Sequence, residues 1–288
     1  MEGQIGQLRW QYVPRPVPAR FRPYVRAMVG YAEDAPGRVS RTELPYPGVV
    51  VILELDPALE VGAGRGAQRF ARGFIAGIGG EPSRTTYRGR QRGLQLDLSA
   101  LGARALFGVD ADELAGRVVP LEDLGAGELA ERLADADDWA ARFRVLDAFL
   151  EARLAESRVD LRLARWVLEA IEGSGGQRAI AELVDESGYS HGYLGRLCRR
   201  DLGLTPKRLS QLVRFHHLVQ RLRGPGPAEP APPLTFARLA AELGYADQSH
   251  LVREVRLFSG VAPTALAALT TPRIELEMGA DRPAYDPR

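Results

Sequence analysis

Residues 244–263 read GYADQSHLVREVRLFSGVAP, and residues 188–206 read GYSHGYLGRLCRRDLGLTP. Each segment opens on Gly-Tyr and passes a residue suited to starting a helix, Asp247 or Ser190. Apolar residues at helical spacing follow (Leu251 and Val255; Leu194, Leu197 and Cys198), and each segment closes on Gly and then Pro. Immediately upstream, Phe236-Ala237-Arg238-Leu239 leads into the later segment and Ile180-Ala181-Glu182-Leu183 into the earlier one. The pattern is a tandem duplication of one helical unit, which chance rarely produces.

Each unit has the form of a helix-turn-helix. A short apolar helix ends at a glycine, which takes the left-handed conformation the turn needs. The second helix buries one face and leaves the other for a partner. In a DNA-binding helix-turn-helix, the N-terminal half of that helix enters the major groove and reads base edges. The local charge agrees. Residues 190–214 hold Arg196, Arg199, Arg200, Arg208, Arg214 and Lys207 against the single acid Asp201, whereas the whole chain carries a net charge of +1. A polyanion would bind at this cluster.

On these residues the stretch from about 160 to 269 resembles the tandem helix-turn-helix domain of AraC-type transcription regulators. GYADQSHLVREVRLFSGVAP carries the likeness most closely, GYSHGYLGRLCRRDLGLTP matches in spacing, and Arg214 falls where the family carries an arginine. The resemblance implies base-reading roles for Gln248, Ser249, Val252 and Arg253 in the second unit. In the first it implies Gly192, Gly195 and Arg196, with His191 beside them. Gln suits adenine, Arg suits guanine and Val suits the thymine methyl. Two glycines replace side chains that would reach bases in the first unit, a departure from the family pattern. Arg199, Arg200, Lys207 and Arg208 are expected as phosphate contacts that position without specifying. The helix expected from Pro206 to about Leu222 would span ~25 Å and separate the two reading helices.

Upstream the periodicity changes. Val25, Ala27, Val29 and Tyr31 alternate with Arg26, Met28 and Gly30, and Gly48–Leu55 (GVVVILEL) reads as a buried strand. Phe70–Ile78 continues the strand pattern, and Ser83–Leu98 reads as a hairpin with Gly89 near its turn. Short helices are expected over Ser99–Phe107 and Asp110–Ala115. In a longer helix from about Asp138, Trp139, Phe143, Leu146, Leu150 and Leu154 form one stripe, for packing on the β-rich part or for a dimer seam. RPYVRAMVGY, GRQRGL and LFGVDADELAGRVVPLEDL resemble, more loosely, an uncharacterised sensor-type module fused to such DNA-binding domains.

The expected fold class is therefore α+β. A β-rich, barrel-like domain with covering helices (1–155) precedes an all-α domain of two helix-turn-helix units (156–271). A flexible linker, 224–233 (GPGPAEPAPP), interrupts the second domain, and a polar tail, 272–288, follows it.

The composition excludes several classes. Of 288 residues, 45% are hydrophobic and 26% charged, ordinary values for a globular chain. No run approaches the ~20 apolar residues of a membrane span, and the polar start shows no signal peptide, so a cytoplasmic protein is expected. The lone cysteine, Cys198, permits no internal disulfide. The first histidine is His191, so the β-rich part offers no imidazole or thiolate to a metal, and no cofactor is expected. Gly62-Ala63-Gly64-Arg65-Gly66 lacks the GKS/T of a phosphate loop and reads as a hairpin loop. The expected function is sequence-specific transcription regulation without catalysis. Double-stranded DNA and RNA polymerase are the expected partners; a small organic effector and a second copy of the chain are candidates. Trp10, Tyr12, Tyr24 and Tyr87 are candidates for an effector pocket or for core packing. The alternative is an enzyme using Glu54, Asp56, Arg72, Arg92 and Asp97, although their spacing defines no site.

Overall fold

The protein is described by a computed structural model over residues 1–5, 7–56, 59–62, 66–223, 235–269 and 273–275. Two long antiparallel strands dominate the N-terminal half: β3 (Val25–Glu43) and β8 (Ser83–Ser99), paired from Val25↔Leu98 to Glu43↔Ser83. Around them lie β1 (Glu2–Ile5), β2 (Leu8–Arg15), β4 (Gly48–Glu54), β5 (Glu60–Val61), β6 (Gln68–Arg69), β7 (Phe74–Ala76) and β9 (Val118–Pro120). The order along the sheet is β1-β2-β3-β8-β4-β7-β9, with β5 extending the line of β4 along β8. The end strands β1 and β9 do not pair with each other, so the sheet is open and "barrel" is a loose description of it.

Two bulges explain where the strand pattern departs from expectation. One lies between Val25 and Ala27. It advances the chain by a residue, so Val25 and Met28 both face the helices while Tyr31 faces the other side of the sheet. The second separates Ala35↔Gly89 from Arg38↔Arg88. Gly89 does adopt a left-handed φ of +73°, but within a continuous 17-residue strand and not in a hairpin turn. A left-handed glycine marks a bulge as readily as a turn, and only long-range pairing tells the two apart.

The helices α1 (Gly102–Phe107), α2 (Ala111–Leu114), α3 (Gly127–Ala134) and α4 (Trp139–Glu156) cover one face of the sheet. Asp138 caps α4 by accepting the Ala141 N–H at 2.7 Å. Phe143, Leu146 and Leu150 are buried against Val51, Leu53, Leu96 and Leu98, so the stripe packs within the chain. That layer encloses a wholly apolar void of about 10 Å³, the space of a single water centre.

The C-terminal half is helical: α5 (Arg162–Gly173), α6 (Ile180–Ser187), α7 (His191–Leu202), α8 (Pro206–Arg223), α9 (Phe236–Glu242), α10 (Gln248–Ser259) and α11 (Pro263–Leu269). The expected linker at 224–233 lies outside the described residues, as do 63–65 of the glycine-rich loop. Of the polar tail, 273–275 form β10, which pairs with β3 (Ile274↔Val39) and returns the chain to the N-terminal sheet. One apolar cluster runs from the sheet through α4 and α5 into α7, α8 and α10. No helix among the described residues is long and apolar enough to cross a membrane.

Candidate nucleic-acid interface

The two helix-turn-helix units are built from local signals. Helix α6 ends at Gly188 with φ +70°, and Ser190 caps α7 by accepting the Tyr193 N–H at 3.3 Å. In the second unit Gly244 has φ +73°, and Asp247 caps α10 by accepting the His250 N–H at 2.6 Å. Helix α7 buries Leu194, Leu197, Cys198 and Leu202, and α10 buries Leu251, Val255 and Phe258. Burial among these side chains pushes the Cys198 thiol up to about 12, so it stays a protonated core residue at neutral pH.

The outward faces hold most of the residues singled out in the sequence. His191 and Arg196 on α7 are exposed, as are Gln248, Ser249 and Arg253 on α10, while Val252 is half-buried. A side chain at Gly195 would meet nothing within 4 Å, and one at Gly192 would meet only the Arg196 guanidinium at 3.6 Å. The glycines therefore leave an open, flat stretch on α7 ahead of Arg196. Arg199 on α7 and Lys207 at the start of α8 are exposed as well.

Two expected phosphate contacts have internal partners. Arg200 makes a two-pronged pair with buried Asp201, Nε–Oδ1 2.7 Å and Nη2–Oδ2 2.8 Å. Arg208 lies 4.1 Å over the Phe258 ring, and burial lowers its pKa from the usual value. Asp201, the next residue along α7, is also reached by Arg104 of α1 at 3.6 Å, and Phe258 comes from the second unit. Arg214 is a hub. It pairs with buried Glu254 at 3.0 Å, donates to the Gly176 carbonyl at 2.6 Å and lies 5.5 Å over the Tyr245 ring.

Two exposed tyrosines stand beside the residues singled out in the sequence. Tyr189 and Tyr193 are 47% and 40% exposed and stack at 4.7 Å, 19° apart in plane. The turn in the second unit has one more residue, Ala246, before its cap, and there Tyr245 is only 5% exposed.

The N-terminal half grips the first unit. At the end of α7, Gly203 lies against Ile78 and Ala111, and Leu204 lies beside Gly79. Arg104 pairs with Asp110 and reaches Asp201. Arg26 pairs with Glu172, Arg165 donates to the Tyr24 hydroxyl at 3.1 Å, and Tyr46 meets the His216 ring edge-on at 5.4 Å.

On the face of the sheet away from the helices lies a buried polar cluster. Buried Glu33 accepts from the Tyr12 hydroxyl at 2.5 Å, the Tyr87 hydroxyl at 2.6 Å and Arg41 at 2.7 Å. Tyr31 donates to Glu54 at 2.9 Å, with the Gln91 amide within 3.4 Å of both. Cross-strand register sets Trp10, Glu33 and Gln91 in one row, and Tyr12, Tyr31 and Glu54 in the next. Burial, reinforced by the neighbouring carboxylates, raises the pKa of Tyr12, Tyr31 and Tyr87. Among the described residues the Gln91 carbonyl oxygen and the Trp10 indole N–H have no hydrogen-bond partner. Of the aromatic candidates, Trp10, Tyr12 and Tyr87 thus share one cluster, while Tyr24 packs against Arg165. The acid and arginine candidates form no single site: Asp56 pairs with Arg92, but Arg72 pairs with Glu131, Asp97 bonds Gln95 and Glu54 bonds Tyr31. No cluster of histidine, cysteine, aspartate or glutamate suited to a metal occurs among the described residues.

Residues 183–268 match the family model of a helix-turn-helix domain. No curated protein matches the chain. Among solved structures, ToxT from Vibrio cholerae aligns at 11% identity over 85% of this chain and 98% of its own, with a TM-score of 0.46. The C-terminal domain of AraT, a response regulator from Geobacillus stearothermophilus, aligns at 18% identity over 45% of this chain and 100% of its own, with a TM-score of 0.33. The AraC-like transcriptional activator CuxR aligns at 16% identity over 74% and 86%, with a TM-score of 0.28. Each score lies below 0.5.

Proposed function

We infer that this chain, whose C-terminal part is a helix-turn-helix domain of the AraC type, is a sequence-specific DNA-binding transcription regulator. The observation that carries the reading is the pair of capped helices, α7 and α10, each with a buried apolar face and an exposed polar N-terminal half. In this reading Arg253 and Gln248 read bases from α10, with Ser249 and Val252 beside them. Arg196 and His191 do so from α7, and Arg199 and Lys207 hold phosphates. Arg200 and Arg208 serve the protein's own packing first, given their partners.

The N-terminal half is the regulatory part of this reading. Its contacts on Gly203 and Asp201, from Ile78 after β7, Ala111 of α2 and Arg104 of α1, reach the end of α7 directly, so a displacement of these segments bears on a DNA-reading helix. The apolar void under α4 is too small for an organic effector. The buried cluster around Glu33 and Gln91 offers hydrogen-bonding groups to one, including an acceptor and a donor that nothing among the described residues satisfies. The protein acts in the cytoplasm, without catalysis, on duplex DNA; RNA polymerase and a second copy of the chain are its further expected partners. Mapping of genomic DNA bound by the full chain tests this. A recurrent two-part site is expected, and uniform coverage without sequence preference would overturn it.

A further inference from the structure

We propose that Tyr193, held by its stack on Tyr189, is an uncharged phosphate contact that sets the depth of α7 in the major groove; the proposal rests on the DNA-binding reading. The argument starts from the position of the ring on the helix. At 100° per residue, Tyr193 lies about 60° round α7 from Arg196 and about 100° from Gly192, on the flank of the outward face and not at its centre. A helix with its side chains is about 10–12 Å across and the major groove is about 12 Å wide. Side chains on the flank therefore meet the sugar-phosphate strand, while those at the centre meet base edges.

The centre of this face is open. Gly192 and Gly195 put no side chain between the α7 backbone and the groove floor. The helix can then sit closer, which brings the flank against the backbone. A phenol hydroxyl there donates to a phosphate oxygen, a contact of the kind that fixes register without carrying sequence information. The stack on Tyr189 at 4.7 Å orients the ring before binding, so little rotamer freedom is lost.

The second unit has no such device. The residue of α10 that corresponds to Tyr193, counting from the caps, is His250. Its Nδ1 accepts the Ala246 N–H at 3.2 Å, and its ring lies edge-on to the buried Tyr245 at 5.3 Å. The additional turn residue Ala246 separates Tyr245 from the cap, whereas Tyr189 directly precedes Ser190 and projects outward.

The test uses the full chain and the duplex site recovered from genomic binding. Tyr193→Phe removes the hydroxyl and keeps the stack. It is expected to weaken binding about tenfold, the scale of a hydrogen bond to a charged group. Because a phenol releases no condensed cation, the salt dependence should match the wild type, whereas Lys207→Ala should lower the slope by about 1. The loss should be equal across single-base changes under α7. It should vanish on a duplex carrying a neutral methylphosphonate at the contacted phosphate. Wild-type affinity for Tyr193→Phe, a loss that depends on the bases under α7, or a loss that persists on every methylphosphonate duplex would each overturn the proposal. A wild-type chain without sequence preference would instead bring down the DNA-binding reading itself.

Discussion

Gly203 and Gly260 form an internal control for how strongly the N-terminal half holds the first unit. Both stand just past a reading helix, with φ of +81° and +71°, and both donate their N–H back into the helix at 2.9 Å, to Arg199 and Arg256 respectively. An alanine at either position pays the left-handed penalty of ~1–2 kcal/mol. Their surroundings differ. A Cβ at Gly260 meets nothing within 4 Å, whereas one at Gly203 would stand 2.4 Å from the Ile78 side chain and 3.1 Å from the Ala111 carbonyl oxygen. Ile78 is buried, so it yields only by repacking, at a cost of ~1–3 kcal/mol. Gly260→Ala should therefore destabilise the chain by ~1–2 kcal/mol and Gly203→Ala by ~2–5 kcal/mol. Urea unfolding of the full chain measures both, with the midpoint falling further for Gly203→Ala. In the same pair, only Gly203→Ala should alter the protection of Ile78 and Ala111 amides from hydrogen exchange. Equal destabilisation by the two substitutions would refute the claim that the sheet half is closely packed on α7.

Arg253→Ala should relax base preference under α10 by ~1–3 kcal/mol at one position, read by a base-by-base scan of the site. Arg196→Ala should relax one or two positions in the other half-site, and Gly192 and Gly195 should leave that half read less stringently overall. Glu33→Ala should destabilise the chain by ~3–5 kcal/mol in urea unfolding, because it strands half-buried Arg41 and two tyrosine hydroxyls. Alkaline pH should also unfold the protein early. The native thiol of Cys198 and the buried tyrosines keep their protons at pH values where the unfolded chain has lost them. Stability is then full below about pH 9 and falls as pH rises toward 12; a melting temperature constant from pH 8 to 11 would contradict this.

What the sequence made legible was local. The caps Ser190 and Asp247, the turn glycines 188 and 244, and the apolar stripe of α4 each depend on residues within a few positions of one another, and each is found where spacing placed it. Signals with two physical meanings were misread. Gly89 marks a bulge within β8, and the alternation from Val25 to Tyr31 hides a residue that changes face. Partners distant in sequence were invisible. Nothing near Arg208 announces Phe258, and nothing near Glu33 announces that Tyr12, Tyr87 and Arg41 converge on it across three strands. Barrel-like is a loose description of the open sheet, since the turn signals suggested many short strands, whereas two strands of 19 and 17 residues carry most of it.

The length of the connection between α8 and α9 does not set the position of the second unit. Helix α8, 18 residues or ~27 Å long, buries Leu209, Leu212, Phe215 and Leu218 and packs against α5, α7, α10 and α11. Phe215 stacks on Phe258 of α10 at 5.1 Å. Arg214 joins α8 to Glu254 of α10 and to the Gly176 carbonyl after α5, and removing one partner from such a buried pair costs ~3–5 kcal/mol. Those contacts hold α10 relative to α7 whatever path 224–234 takes, since lengthening a loop adds only ~0.6 kcal/mol per doubling. The separation of the two reading helices is therefore a property of α8 and its packing. The same α7 that α8 fixes against α10 is the helix that Ile78 and Arg104 hold from the sheet side. Displacement of the sheet half consequently bears on the end of α7 and, through Tyr46 on His216, directly on α8, the helix that sets the spacing of α7 from α10.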